Sequence, residues 1–189
     1  MKTTSITIVG VGGQGTLLAS KLLGNVLLGA GYDVKLSEVH GMSQRGGSVV
    51  TYVRYGDRVY SPIVDQGEAD YILSFEILES ARWISYLKEG GVLLTNTQRT
   101  WPMPVITGAA QYPEGIVEKL SAMADVTAVD ALALAEQAGS PKAVNVVLIG
   151  VLSRLMDVPE EVWLQAIDET VPPKFLELNK KAFALGRNA

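Results

Sequence analysis

A glycine-rich run, "GVGGQG", occupies residues 10–15, directly after the apolar residues 6–9. Its G-x-G-x-x-G spacing between a predicted strand and a predicted helix lets backbone N–H groups and a helix N-terminus face an anion. The run therefore predicts a site for a phosphate or carboxylate, and the alternative is that the glycines only allow a strand and a helix to pack closely. The candidate binding residues in this loop are Gly10, Gly12, Gly13, Gln14 and Gly15. The Gln14 amide could bond a ligand or cap the loop.

The residues after the loop narrow the choice of anion site. A nucleotide-binding P-loop needs Lys followed by Ser or Thr after its last glycine, whereas Gly15 is followed by Thr16 and Leu17. A dinucleotide site remains open, because Glu38 lies about 20 residues beyond Gly15, where such sites place the acid that binds a ribose. A free-standing NAD(P)-dependent oxidoreductase is accordingly one hypothesis for this chain.

A second polar, glycine-rich loop follows the next predicted strand. Its stretch "SQRGG" contains Arg45, Gly46 and Gly47. Arginine offers a planar fork for phosphate or carboxylate, and ligands of open α/β sheets bind in the crevice at the carboxyl ends of the strands. We therefore predict that both glycine loops line one crevice. His40, the single histidine, has no paired nucleophile and is interpreted as a structural or interface residue.

Composition excludes several kinds of site. The 189-residue chain has no cysteine, so it offers no thiolate to an iron–sulfur cluster. A single histidine excludes a two-histidine metal site, and a net charge of −4 argues against nucleic acid. No apolar run reaches the ~20 residues that a membrane-spanning helix needs. We expect one cytoplasmic domain over residues 1–189, with no membrane association.

Alternating strand and helix patterns predict an α/β fold. Strands are predicted at residues 5–9, 32–39, 69–75, 92–95 and 126–129, with helices between them. Residues 49–55 and 58–60 flank Gly56 and Asp57, which predicts a β-hairpin with a two-residue turn. A helix from residue 77 is expected to end at Gly90 and Gly91. The fold class is a Rossmann-like open, mostly parallel sheet with helices on both faces, a hairpin insertion and a C-terminal helical tail.

The C-terminal third begins with an unusually apolar helix. Residues 142–156 are apolar nearly all round, with Asn145 among them, so this helix is buried on several sides or faces a partner. The Asn145 amide needs a backbone group or a partner, since an unpaired buried amide costs ~1–3 kcal/mol. Pro159 and Pro173 fit the first turns of two further helices.

Taken together, these motifs resemble the gamma-type subunits of 2-oxoacid:ferredoxin oxidoreductases. The segments that carry the resemblance are "GVGGQG", "SQRGGSV", "ADYILSFE" and "NVVLIG". Within that family, "WPMPVITGAAQYPEGI", "KAVNVVLIGVL" and "VPPKFLELNKKAFALG" are similar to the indolepyruvate branch. The resemblance extends over nearly the whole chain, and two glycine loops in series are more specific than either alone.

The resemblance implies an oxidative decarboxylation of a 2-oxoacid that yields acyl-coenzyme A and reduced ferredoxin. It implies that a large alpha subunit carries thiamine diphosphate and the iron–sulfur clusters, and that this chain binds neither. It further implies that Gly10, the other glycine-loop residues, Arg45 and Asn145 lie near that partner or coenzyme A, with none of them catalytic. A gamma subunit for pyruvate or 2-oxoglutarate remains an alternative, as does a dimer of the isolated chain.

Overall fold

The fold is built on one six-stranded sheet, seen in a computed structural model that describes residues 3–38, 43 and 45–189. Its strands, in chain order, are β1 (Thr4–Val11), β2 (Asp33–Glu38), β3 (Ser48–Gly56), β4 (Ala69–Ser74), β5 (Leu87–Asn96) and β6 (Asp125–Val129). The spatial order is β2-β3-β1-β4-β5-β6. β1, β4, β5 and β6 pair in parallel, whereas β3 is antiparallel to both β1 and β2.

Helices cover both faces of the sheet, which confirms the predicted fold class. They are α1 (Thr16–Gly29), α2 (Ile77–Trp83), α3 (Met103–Ile106), α4 (Ile116–Ser121), α5 (Ala131–Ala138), α6 (Val144–Ser153), α7 (Glu160–Thr170) and α8 (Leu176–Arg187). Side chains alternate between the faces of β1, so Ile6 and Ile8 join the core under α1, α5, α6, α7 and α8. Val9 joins the smaller core under α2 and α4. None of the helices in the described part is long and apolar enough to cross a bilayer.

The apolar helix α6 is enclosed by the chain's own helices. All ten of its residues are buried, and it crosses α8 with its backbone in direct contact. A Cβ on Gly150 would lie 2.3 Å from the carbonyl oxygen of Phe183, and one on Gly186 would lie 2.0 Å from that of Val147. Each helix therefore contributes a glycine where the other comes closest.

The predicted hairpin does not form. Residues 58–60 form no strand, and β3 pairs instead with β1 and with β2, which precedes it in the chain. The local signal at Gly56 and Asp57 is overridden because the Asp33 carboxylate accepts the Val59 N–H at 2.7 Å and so fixes the chain after the turn outside the sheet.

The predicted end of the second helix was also wrong. α2 ends at Trp83 and a 3₁₀ turn at Ile84–Tyr86 leads into β5, so Gly90 and Gly91 lie within the strand. At Gly91 a Cβ would lie 3.0 Å from carbonyl oxygens of β4. Gly91 thus serves strand packing, Gly90 has a positive φ of 73° with open space around it, and neither terminates a helix.

Candidate functional site

The two glycine loops meet at one edge of the sheet and bond to each other. The Gly12 N–H donates to the Gly47 carbonyl at 2.8 Å, and the Gly46 N–H donates to the Gly12 carbonyl at 3.1 Å. β3 is antiparallel to β1, so its first residue, Ser48, lies opposite Val11, the last residue of β1. The two loops are therefore neighbours, and that they jointly line one crevice stays a prediction.

A cleft of about 270 Å³ opens between the first loop and β3. Its lining consists of Gly12, Gly13, Gly15, Thr16, Leu17, Val49, Val50 and Thr51. Backbone and small or apolar side chains form these walls, so the polar groups presented to a ligand come mainly from the main chain.

The first loop ends at the N-terminus of α1, which faces this cleft. Gly15 is the N-cap residue, with φ 87°, and no side chain caps the helix. Gly13 also has a positive φ, 101°, which side chains other than glycine rarely adopt. The first turn of α1 carries no acidic residue, so the partial positive charge of the helix end is not neutralised within its own turn.

Gln14 supports the first loop from within. Its Oε1 accepts the Val11 N–H at 2.8 Å, and its Nε2 lies 3.4 Å from the Phe75 carbonyl oxygen. A Cβ on Gly10 would lie 2.9 Å from both the Gln14 Oε1 and the Phe75 Cβ. Of the two roles considered for Gln14, the contacts match the loop cap, and Gly10 provides the space for it.

Asn145 reaches the same loop from α6. Its side chain is buried, and Nδ2 lies 3.4 Å from the Gly15 carbonyl oxygen. Its Oδ1 accepts the Val146 N–H at 2.9 Å. The amide is therefore satisfied by backbone groups of its own chain, one of the two partners predicted for it.

The second loop presents an exposed Arg45 beside Gly46 and Gly47. The Gly47 N–H donates to the Ser43 carbonyl at 3.1 Å, which closes a turn at the base of the loop. His40 and Gln44 lie outside the described residues, so the interpretation of His40 stays a prediction.

Two buried carboxylates stand beside the loops, and sequence reasoning missed both. Glu79 on α2 accepts a hydrogen bond from the Ser48 hydroxyl and pairs with Arg82 at 3.2 Å. Ser48 directly follows Gly47, so Glu79 ties α2 to the second loop. The acidic residue following an apolar strand in "SFEILE" is the only sequence signal, and its partners cannot be read from it.

Glu76 anchors the connecting arm, residues 97–115, which follows β5. Its Oε1 accepts the Thr100 N–H at 3.0 Å and the Tyr112 hydroxyl at 2.6 Å. Its Oε2 accepts the Glu79 N–H at 2.9 Å and so caps α2. Burial, and then the hydrogen bond to Glu76, raise the pKa of Tyr112 above its usual range. One carboxylate thus holds both ends of the arm.

Glu38 is engaged in a hydrogen bond within the chain. Its Oε1 accepts the Ser20 hydroxyl of α1 at 2.7 Å. β3 lies between β1 and β2, whereas a dinucleotide-binding unit places its first two strands side by side. The contact of Glu38 and the strand order therefore support the dinucleotide hypothesis less than the position of Glu38 in the sequence does.

Metal-binding groups are sparse around the cleft. Among residues 3–38, 43 and 45–189 no three His, Cys, Asp or Glu side chains gather closely enough to hold a metal ion. The chain contains no cysteine anywhere. The arrangement is suited to holding an anion through backbone N–H groups and a helix end.

The chain is similar to known proteins over nearly its whole length. Indolepyruvate oxidoreductase subunit IorB of Thermococcus kodakarensis is 48% identical over 196 aligned residues, covering 100% of this chain and 96% of the relative. The subunit of the same name from Archaeoglobus fulgidus is 39% identical, covering 97% of this chain and 94% of the relative.

A solved structure extends the likeness to three dimensions. The gamma subunit of a keto/oxoacid ferredoxin oxidoreductase from Geobacter sulfurreducens matches with a TM-score of 0.73 and 26% identity, over 98% of this chain and 96% of that one. The family model described as pyruvate ferredoxin/flavodoxin oxidoreductase matches residues 5–189. The resemblance predicted from the two glycine loops is thereby confirmed, and the chain belongs to the pyruvate ferredoxin/flavodoxin oxidoreductase family.

Proposed function

We propose that this chain is the small subunit of an indolepyruvate:ferredoxin oxidoreductase, which converts an arylpyruvate and coenzyme A to acyl-coenzyme A, CO₂ and reduced ferredoxin. The substrate rests on relatives that bear the indolepyruvate name and are 39% to 48% identical across nearly the whole chain. Pyruvate and 2-oxoglutarate remain the competing 2-oxoacids.

The observation that carries the proposed role is the pairing of the two glycine loops at the N-terminus of α1. Backbone N–H groups and an uncapped helix end form a site for a phosphate group, and coenzyme A is the phosphate-bearing substrate of this reaction. We assign Gly13 and Gly15 to that contact, with Gly12 shaping the loop through its bonds to Gly46 and Gly47 and Arg45 beside them on the second loop.

The redox groups belong to a large partner subunit in this proposal. Iron–sulfur clusters are held by cysteine thiolates, and this chain has no cysteine. Thiamine diphosphate, when bound by the partner, supplies the electron sink for decarboxylation. The residues of this chain bind and orient the coenzyme A phosphates and contact the partner; none of them exchanges a proton with the substrate.

Co-expression with the large subunit encoded in the same genome tests this function. We expect the two chains to co-purify, and the complex to reduce ferredoxin only when indolepyruvate and coenzyme A are both present. The small chain alone should show no turnover. Pyruvate and 2-oxoglutarate in place of indolepyruvate test the competing substrates, and faster turnover with either would replace the assigned one.

A binding experiment on the isolated chain tests the dinucleotide alternative. NADH is titrated against the wild-type chain and Glu38→Ala, with NADH fluorescence as the readout. Saturable binding that the substitution abolishes would replace the proposed function with an NAD(P)-dependent one. No saturable binding is expected, because the Glu38 carboxylate already bonds Ser20.

A further inference from the structure

A second cavity lies behind the first glycine loop, among α1, α6 and α8. It has a volume of about 390 Å³, within the range of small-molecule sites. It is lined by Leu18, Gly139, Ser140, Lys142, Ala143, Asn145, Val171, Pro172, Phe175, Leu178 and Asn179. This lining differs entirely from that of the cleft at the glycine loops.

The walls of this cavity are largely apolar, and one of them is an aromatic ring. Leu18, Val171 and Leu178 contribute aliphatic surface. Phe175 is 46% exposed although it adjoins the cavity, so an apolar ligand would cover surface that now meets water. Burial of this apolar area would favour the complex.

The polar groups at the cavity include a cation and a side-chain amide. The ammonium of the exposed Lys142 has no hydrogen-bond or ion-pair partner among the described side chains. The NH₂ group of the buried Asn145 has only the long 3.4 Å contact to the Gly15 carbonyl, while its Oδ1 accepts the Val146 N–H. No Asp or Glu is among the described lining residues. A cation and an amide without an opposing acid suit a carboxylate.

We infer that this cavity binds a small apolar monocarboxylate, with the carboxylate on Lys142 and Asn145 and the apolar group against Phe175 and Leu178. The inference does not depend on coenzyme A or on the large subunit, because every lining residue belongs to this chain. Asn145 also touches Gly15, so a ligand that takes its amide hydrogens alters the support of the first glycine loop.

Phenylacetate is a suitable probe, and phenylacetamide is its uncharged match. Each is titrated into the isotope-labelled full-length chain while the side-chain amide signals of Asn145 and Asn179 are followed by NMR. We expect phenylacetate to shift the Asn145 signals saturably, with a Kd on the order of 1 mM. Phenylacetamide should bind several-fold more weakly.

Two variants and a control separate charge from shape. Lys142→Met should weaken phenylacetate about 5-fold and leave phenylacetamide unchanged, because only the ion pair is lost. Lys181→Met removes an exposed lysine of α8 that lies outside the cavity, and it should change neither affinity. Leu178→Trp narrows the cavity and should abolish binding of both probes.

Three results would overturn the inference. They are the absence of a saturable shift of the Asn145 signals, an equal loss of affinity in Lys142→Met and Lys181→Met, and unchanged binding in Leu178→Trp. None of these results bears on the proposed function, because coenzyme A and indolepyruvate are absent from the experiment.

Discussion

The two halves of the carboxyl edge of the sheet are built in different ways. On the side of β1 and β3, backbone groups of Gly12, Gly46 and Gly47 bond to one another, and no buried carboxylate takes part. On the side of β4 and β5, the buried carboxylate of Glu76 gathers three donors and fixes the connecting arm.

The glycine half is therefore suited to binding a ligand, and the carboxylate half to supporting the fold. The glycine half leaves main-chain N–H groups and a helix end toward a cleft, where an anion can use them. On the carboxylate half, the oxygens of Glu76 already accept hydrogen bonds from groups inside the protein. This half therefore makes the structure rigid and does not contact a ligand. Ser48, whose hydroxyl bonds Glu79, connects the two halves.

The largest expected effect is on the carboxylate half. Glu76→Ala leaves Thr100, Tyr112 and Glu79 without their acceptor and should lower the free energy of unfolding by about 3 kcal/mol. Glu76→Gln keeps one acceptor oxygen and should lose about half as much. Urea unfolding measures both values, and equal losses in the two variants would contradict the role given to the carboxylate.

A smaller loss of stability is expected in the glycine half, together with a loss of binding. Gly15→Ala combines a positive φ with a Cβ 2.9 Å from the Asn145 Nδ2, and should cost about 2 kcal/mol. Gly13→Ala has a positive φ and nothing within 4 Å, and should cost about 1 kcal/mol. Urea unfolding measures both.

The same pair tests the phosphate assignment. In the assembled complex, coenzyme A titrations should show a higher KM for both glycine variants, with kcat for saturating coenzyme A little changed. A variant that loses stability as predicted yet keeps its KM for coenzyme A would separate loop strain from ligand binding and would count against the assignment.

The link between the halves should have an intermediate effect. Ser48→Ala removes the hydroxyl that bonds Glu79 and should lower stability by about 1.5 kcal/mol. Ser48→Thr keeps a hydroxyl and serves as the control. If hydrogen exchange at Gly46 and Gly47 is equally slow in wild type and Ser48→Ala, the second loop is not held by Glu79.

The smallest effect concerns pH. Tyr112→Phe should cost about 1 kcal/mol at neutral pH. The pKa of Tyr112 is raised in the folded protein. Its contribution to the free energy of unfolding is therefore complete below the unfolded pKa of about 10, and it is lost as pH rises toward the pKa of the folded protein. The stability difference between wild type and variant should therefore narrow between pH 9 and 11 on urea unfolding, whereas a constant difference would exclude the linkage.

The strands and helices that follow a regular pattern could be predicted, because their periods are local. β1 and α1 were predicted nearly to their ends. The strands that pair with β3 could not be predicted, because the pairing of β3 with β1 brings together residues as far apart in the sequence as Thr4 and Tyr55. A strong turn signal at Gly56 and Asp57 therefore suggested the wrong second strand.

The candidate site divides in the same way. The glycine loops were found because their spacing carries a mechanism, the approach of main-chain N–H groups to an anion. Glu76 was missed because its significance comes from Thr100 and Tyr112, 24 and 36 residues further along the chain. A single acid after a strand has no distinctive spacing, so only the folded chain shows what it holds.

The crossing of α6 and α8 at Gly150 and Gly186 has a consequence for synthesis on the ribosome. The apolar helix α6 stays uncovered on this side until α8 has emerged and docked. We expect a chain shortened before Leu176 to form inclusion bodies, and a slow decoding step there to favour capture by chaperones. Helix α8 is thus the element that closes the fold over α6.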